Sequence, residues 1–119
     1  MGRSLLILSL FLTVAVVHAQ TNVCGNVSGV WDLSGSPYMV TCNITVPTGQ
    51  TLEISPGVQV QFTGHYKFVI NGTLRAIGTG ADSIIFTRAY PTEASKWWGI
   101  RFMNANTNSR LEYCRIEYG

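Results

Sequence analysis

The sequence is poor in charge, histidine and cysteine, and each shortage excludes a class of function. Only 12% of the 119 residues are charged, with eight Lys and Arg, six Asp and Glu and a formal net charge of +2. This balance provides no basic patch, so we expect no nucleic-acid partner. The three cysteines have no Cys-x-x-Cys spacing, and His65 is the only histidine after residue 19. We therefore predict no catalytic residue, no metal site and no cofactor, and we expect His65 to be structural.

Long apolar runs are also scarce, and the one present lies at the N-terminus. Arg3 precedes an apolar run at residues 5–17, and small residues end at Ala19. This order is typical of a secretory signal peptide, and the run is shorter than the ~20 apolar residues of a transmembrane helix. We predict a signal peptide at residues 1–19, a mature chain that begins near Gln20 without a transmembrane segment, and a secreted or cell-surface location.

No later window has the 3.6-residue apolar period and the caps of a helix. Short alternating or β-branched segments are instead bounded by Gly, Pro, Asn, Asp or Ser, which predicts strands. The predicted class is all-β, with strands at residues 40–46, 51–54, 58–62, 67–70, 73–77, 83–87, 99–103 and 110–118.

The turns within residues 51–80 permit two topologies. Asn71-Gly72 between apolar alternations is a strong hairpin pattern, which favours an antiparallel sheet. A two-residue turn there pairs Phe68 with Arg75, however, and leaves neither face cleanly apolar. The competing geometry is a coil, in which each strand stacks ~4.8 Å from the strand one turn earlier. The residue pattern alone leaves both topologies open.

Several segments in a fixed order carry a family resemblance. They are "VSGVW", "SPYMVTCNITVPTGQTLEISPGVQVQFTGHYKFVINGTLRAIGT", "DSIIFT", "WWGIRF" and "LEYCRIEYG". Together they resemble the N-terminal region of secreted bacterial right-handed parallel β-helix repeat proteins, which share the pectate-lyase-like fold. The resemblance implies parallel strands, an N-terminal cap and first strand at residues 20–50, and β-helix turns at 51–119 that are incomplete at the C-terminus. It also implies that Trp31, Tyr38 and Met39 cover the first end of the core.

The cysteines divide into an expected pair and a single residue. Cys24 and Cys42 flank a short turn-rich segment, and secretion favours their oxidation, so we predict that they form a disulfide. Cys114 lies in an alternating strand, where we expect a small buried apolar side chain rather than a reactive thiol.

The residues favour a scaffold over an enzyme. A Ca²⁺-dependent polysaccharide lyase needs clustered carboxylates, whereas the acidic residues after residue 19 are dispersed. We predict a non-enzymatic structural or adhesin-like module, a fragment of a longer protein, with carbohydrate or a cell-surface protein as partner. One alternative is the N-terminal part of a polysaccharide lyase or glycoside hydrolase whose catalytic turns lie beyond residue 119. Another is a small antiparallel β-sandwich that acts as a binding domain.

Two further motifs have a structural and a functional interpretation. Trp97 and Trp98 are candidate ligand contacts, although we expect one to pack inward and the other to border a loop. Asn26, Asn43 and Asn71 each begin an Asn-x-Ser/Thr sequon. With the bacterial resemblance, we interpret these sequons as turn and strand chemistry.

Overall fold

The computed structural model describes residues 20–104 and 107–119, so the predicted signal peptide lies outside the described residues. The described chain is all-β, as predicted, and no helix within it is long and apolar enough to cross a membrane. Two 3₁₀ turns occur, at Leu33–Gly35 and Glu93–Ser95. The strands are β1 (Thr21–Asn26), β2 (Gly29–Trp31), β3 (Tyr38–Val46), β4 (Thr51–Ile54), β5 (Gln59–Phe62), β6 (Phe68–Ile70), β7 (Thr73–Ile77), β8 (Ile84–Arg88), β9 (Ile100–Phe102), β10 (Arg110–Glu112) and β11 (Cys114–Ile116).

Every pairing between these strands is parallel. The first sheet has the order β11-β8-β5-β3-β6-β9, with β1 also paired to β3, and the second has the order β10-β7-β4-β2. The strands that flank Asn71-Gly72, β6 and β7, lie in different sheets, as do β4 and β5. The hairpin interpretation of these turns and the antiparallel sandwich are therefore wrong, because no described strand pairs with its immediate neighbour in sequence.

The pairing order arranges the strands in successive layers. β1 and β2 form one layer, followed by β3 with β4, then β5 with β6 and β7, and then β8 with β9 and β10. The long strand β3 serves as two strands of the next layer, since Tyr38 pairs with Val60 of β5 and Ile44 pairs with Phe68 of β6. In the second sheet Leu52 of β4 pairs with Leu74 of β7.

Inward positions of each layer stack into one apolar column. Leu52, Ile54, Val60 and Phe62 are all buried, whereas Thr51 and Glu53, at the alternate positions of β4, are exposed. A period of two places alternate side chains on opposite faces of a strand, and burial of one face fixes the register. The alternation in the sequence thus identifies the core side of these strands correctly.

A stacked aromatic pair lies in the first two layers. The rings of Trp31 and Tyr38 are 4.7 Å apart and nearly parallel, and both residues are buried with Met39. The Tyr38 hydroxyl donates a 2.9 Å hydrogen bond to the carbonyl of Asp32. Burial raises the pKa of this hydroxyl, and the negative charge of Asp32 raises it further. All three residues are buried, and their expected role as a cover for the first end of the core stays a prediction.

The opposite end of the column is less covered. Phe102 pairs with Ile70, and Ile116 pairs with Phe86, so both occupy inward positions. They are nevertheless 46% and 52% exposed, because no described strand lies over them. The predicted single strand at residues 110–118 is also divided, since Tyr113 takes a φ of 52° and sends β10 and β11 into different sheets. A left-handed conformation is uncommon for Tyr, so the sequence gives no indication of this bend.

The predicted disulfide between Cys24 and Cys42 is present. It joins β1 to β3 with 5.1 Å between the Cα atoms. The bridge lies where the register of the two strands shifts, between Val23 and Gly25. It therefore holds the first two layers together at a point where strand pairing is interrupted.

Gly72 lies at a position where there is no room for a side chain. A Cβ at Gly72 would collide with the carbonyl oxygens of Pro47 and Gln50, which belong to the turn one layer earlier, whereas one at Gly80 would approach only Tyr113, at 4.0 Å. We predict that Gly72→Ala lowers the free energy of unfolding by about 3 kcal/mol, and that Gly80→Ala changes it by less than about 0.5 kcal/mol. Urea denaturation measures both, and equal effects would contradict the close approach of the two turns.

Removing the disulfide tests its contribution to stability. We predict that the double variant Cys24→Ala/Cys42→Ala loses about 3 kcal/mol of unfolding free energy, because the unfolded chain is no longer constrained by the loop. The control is the unsubstituted protein denatured with dithiothreitol, which we expect to match the variant. A variant as stable as the oxidised protein would show that the bridge contributes nothing.

Candidate functional site

One corner of the first sheet lengthens from layer to layer. In this sheet β5 and β8 lie on one side of the corner, and β6 and β9 lie on the other. In each layer a connecting segment joins the two sides, and the strand pairings fix its first and last residues. That segment is one residue in the first layer, then three, five and eleven, at residue 24 and residues 41–43, 63–67 and 89–99. We call these residues the variable corner. Because the strands stay in register, the added residues must project from the stack.

The longest segment of the variable corner is held in place by hydrogen bonds. Ser95 is buried, and its hydroxyl donates to the carbonyl oxygen of Tyr90 at 2.6 Å and accepts from the Tyr90 N–H at 3.2 Å. The Lys96 N–H donates to the carbonyl of Glu93 and closes a 3₁₀ turn. A short loop tied to itself in this way presents its side chains from a defined backbone, which reduces the ordering cost of binding.

Trp97 anchors the segment to the core. It is 2% exposed, and its ring stacks on Phe62 with 4.1 Å between centroids and 8° between planes. The indole Nε1–H donates a 2.9 Å hydrogen bond to the carbonyl of Glu117. Since its ring is buried against Phe62 and its polar atom is hydrogen-bonded, Trp97 is a structural residue, which confirms that one of the two tryptophans packs inward.

Trp98 faces the other way. It is 56% exposed, while its backbone N–H donates to the carbonyl of Tyr66 in the preceding layer at 2.9 Å. It borders a cleft of about 400 Å³ that His65, Lys96, Trp97 and Gly119 also line. An exposed indole on a fixed backbone provides a flat apolar surface next to hydrogen-bond donors. The structure thus brings together Trp98, Lys96 and His65, of which the sequence indicated only the tryptophan.

Neither Lys96 nor His65 was identified from the sequence as a ligand contact, for a different reason in each case. Nothing in the sequence places Lys96 beside His65, because the two belong to different layers. His65 was expected to be structural, yet it is exposed and lines the cleft. The unequal spacing of the strands along the chain is the one sequence feature that could have indicated a projecting corner at residues 89–99.

The acidic residues do not form a catalytic cluster. Glu112 pairs with Arg110 at 2.7 Å, and Glu117 pairs with Arg115 at 3.2 Å, all with exposed or half-buried side chains. Within residues 20–104 and 107–119, no three of His, Cys, Asp and Glu lie close enough to hold a metal ion. The cleft therefore offers stacking and hydrogen bonding rather than carboxylate chemistry.

A second concavity lies at another corner of the stack. It is a polar groove of about 330 Å³ lined by Thr48 and Gly49, by Asn71-Gly72, and by Asn104 and Asn108. Asn71 is half-buried in this groove, and Gly72 and Thr73 beside it are buried. The groove is lined by backbone turns of successive layers without an exposed aromatic ring.

Cys114 lies against the core. It is half-buried, its Sγ is 3.2 Å from the carbonyl oxygen of Ala76, and burial raises the pKa of its thiol. These surroundings agree with the expected small apolar role.

Comparisons with known proteins give one partial similarity. A 52-residue segment is 40% identical to Protein bark beetle of Drosophila melanogaster, and it covers 44% of this chain and 2% of that protein. No protein-family model matches the chain, and no solved structure matches it. The matched share is too small to place the chain in a family.

The two tryptophans provide a matched pair of substitutions. We predict that Trp97→Ala lowers the unfolding free energy by about 3–5 kcal/mol, since it removes a fully packed ring. Trp98→Ala should change it by less than about 1 kcal/mol. Urea denaturation followed by circular dichroism measures both. A large loss for Trp98→Ala would show that this ring is part of the core.

The thiol of Cys114 should react slowly. Because its pKa is raised, the reactive thiolate is less populated at a given pH than in a free cysteine. We predict that the native protein reacts with iodoacetamide more slowly than free cysteine across pH 7–9, and that urea restores the rate. A native rate equal to that of free cysteine would contradict the burial of this thiol.

Proposed function

We propose that the chain builds part of a right-handed parallel β-helix within a secreted, non-enzymatic module. In this proposal the stacked layers act as a rigid scaffold outside the cell. The cleft around Trp98 is its contact surface, and the ligand is a carbohydrate.

The parallel layers support the scaffold. Each layer pairs with the one before it along two sheets, and the buried inward side chains form one core cluster. Because stability comes from contacts between neighbouring layers, such a stack accepts loops of any length at its corners. The segment at residues 89–99 is an example, since the layer beneath it has only five residues at the same corner.

The disulfide supports an extracellular location. Disulfides persist in oxidising compartments and are rare in the cytosol. The Cys24–Cys42 bridge follows closely on the N-terminal residues whose pattern is typical of a signal peptide. The proposal does not depend on a particular host.

The exposed ring of Trp98 carries the proposal of a carbohydrate ligand. Its neighbour Trp97 is buried, so the loop has a separate anchor and does not need the second ring for stability. An indole face packs against the C–H face of a sugar ring, and the Lys96 ammonium and the His65 imidazole can bond to its hydroxyls. The cleft of about 400 Å³ is within the size range of small-ligand sites.

Glycan binding tests this proposal, with an array of immobilised neutral and acidic oligosaccharides as the probe. For a glycan that binds, we predict that Trp98→Ala weakens binding about tenfold, which corresponds to ~1.4 kcal/mol. Tyr90→Ala is the matched control, because this aromatic ring is 53% exposed on the same loop but does not line the cleft. Binding that survives Trp98→Ala, or no binding to any glycan, would contradict the proposed ligand.

A further inference from the structure

We propose that Asn26 and Asn43 carry N-linked glycans and that Asn71 does not. The inference rests on the proposed secretion of the chain and applies to its synthesis in a eukaryotic cell, because the modifying enzyme acts in the secretory pathway of such cells. For Asn26 and Asn43 it is the alternative to turn and strand chemistry, the interpretation that a bacterial source implies.

Asn26 has the surroundings that a glycan needs. Along β1 the side chains alternate between half-buried and exposed positions, and Asn26 is on the exposed side. Ser28, which completes the sequon, is exposed, and Val27 between them points into the core. A glycan on Asn26 therefore projects into solvent without disturbing the column.

A glycan on Asn26 would lie next to an edge of the first sheet that is unpaired among the described strands. Within the described chain, β1 pairs with β3 alone, so its other edge has unpaired backbone groups. Exposed strand edges promote association between molecules, and natural proteins protect them. A bulky polar group at Asn26 would stand beside this edge.

Asn43 is compatible with a glycan because of the way its carboxamide is held. It is exposed at the variable corner, and its Oδ1 accepts a 2.9 Å hydrogen bond from the backbone N–H of Lys67. Since the carbonyl oxygen must be the acceptor, the Nδ2 is turned away from Lys67. A glycan attaches to Nδ2 and leaves Oδ1 in place, so this link between two layers is retained after modification.

Asn71 differs from both. It is half-buried in the polar groove, which the turn residues Thr48 and Gly49 also line, together with Asn104 and Asn108. The next residue, Gly72, is packed against the carbonyls of Pro47 and Gln50. Because Asn71 is only partly exposed and its neighbour Gly72 has no free space, we expect a sugar on Asn71 to crowd these turns and a chain modified there not to complete the stack.

The transfer requires one co-reactant, an oligosaccharide linked to a lipid diphosphate. A bond forms between the Asn Nδ2 and C1 of the first N-acetylglucosamine, and the bond between that C1 and the diphosphate oxygen breaks. The lipid diphosphate leaves, and Nδ2 loses one proton. No electron transfer is involved.

Expression of the full chain in insect cells tests the inference. We expect secreted protein whose gel mobility increases after treatment with peptide N-glycosidase F, and peptide mass spectrometry should locate the resulting Asn-to-Asp conversion at residues 26 and 43. Asn26→Gln and Asn43→Gln should each remove one step of the mobility shift, and Asn71→Gln should leave the pattern unchanged.

Two further variants test whether modification requires the complete sequon rather than the asparagine alone. Ser28→Ala should act like Asn26→Gln although Asn26 is retained, and Thr45→Ser should preserve the glycan at Asn43. Secreted protein without glycans at Asn26 and Asn43, or with a glycan at Asn71 instead, would overturn the inference while leaving secretion intact.

A chain that is not secreted would count against the proposed secretion. The same chain with residues 1–19 replaced by an established signal peptide then decides the glycosylation separately. Glycans at residues 26 and 43 in that protein would support the inference, and their absence would overturn it.

Discussion

The lateral pairing of each strand with a strand one layer earlier is the constraint on which the other features depend. Such pairing satisfies the backbone hydrogen-bonding groups of strands that are only three to nine residues long, and it aligns their inward side chains. Leu52 lies beside Leu74, and Phe68 beside Ile100, so each inward residue packs on another apolar residue of the neighbouring layer. Burial of one face then fixes the register of every strand.

This constraint also explains where variation is permitted. The number of residues in a paired strand is constrained by its register with the neighbouring strands. A corner segment can vary in length, because it only has to lead the chain to the start of the next strand. The variable corner grows until it forms the loop with Trp97 and Trp98, and Trp97 returns that loop to the core through Phe62. At the same corner the first two layers are joined covalently, through Cys24 and Cys42. The disulfide and the candidate contact surface therefore lie in different layers of the same corner.

The sequence predicts the strands and the core side well, because alternation and turn residues are local properties. Leu52, Val60 and Phe62 are buried as their parity indicates. It does not distinguish a hairpin from a stack at Asn71-Gly72, because the deciding contacts of Gly72 are with Pro47 and Gln50, more than twenty residues away in sequence. The resemblance to parallel β-helix proteins predicted the parallel pairing that the local dipeptide pattern did not.

Much less of the candidate site could be predicted. The pair Trp97 and Trp98 is visible in the sequence, but which ring is buried depends on Phe62 and on the carbonyl of Glu117. Neither β1 nor β2 was predicted as a separate strand, since their short sequences are rich in Gly and Asn and their pairing with β3 and β4 stabilises them.

Solution NMR of the uniformly ¹⁵N- and ¹³C-labelled protein tests the central claim most directly, through nuclear Overhauser contacts between backbone protons. The account predicts contacts between Leu52 and Leu74 and between Val60 and Phe86, as parallel pairing requires. Contacts between Phe68 and Arg75 across Asn71-Gly72, together with the loss of those two, would indicate an antiparallel hairpin and contradict the stacked layers.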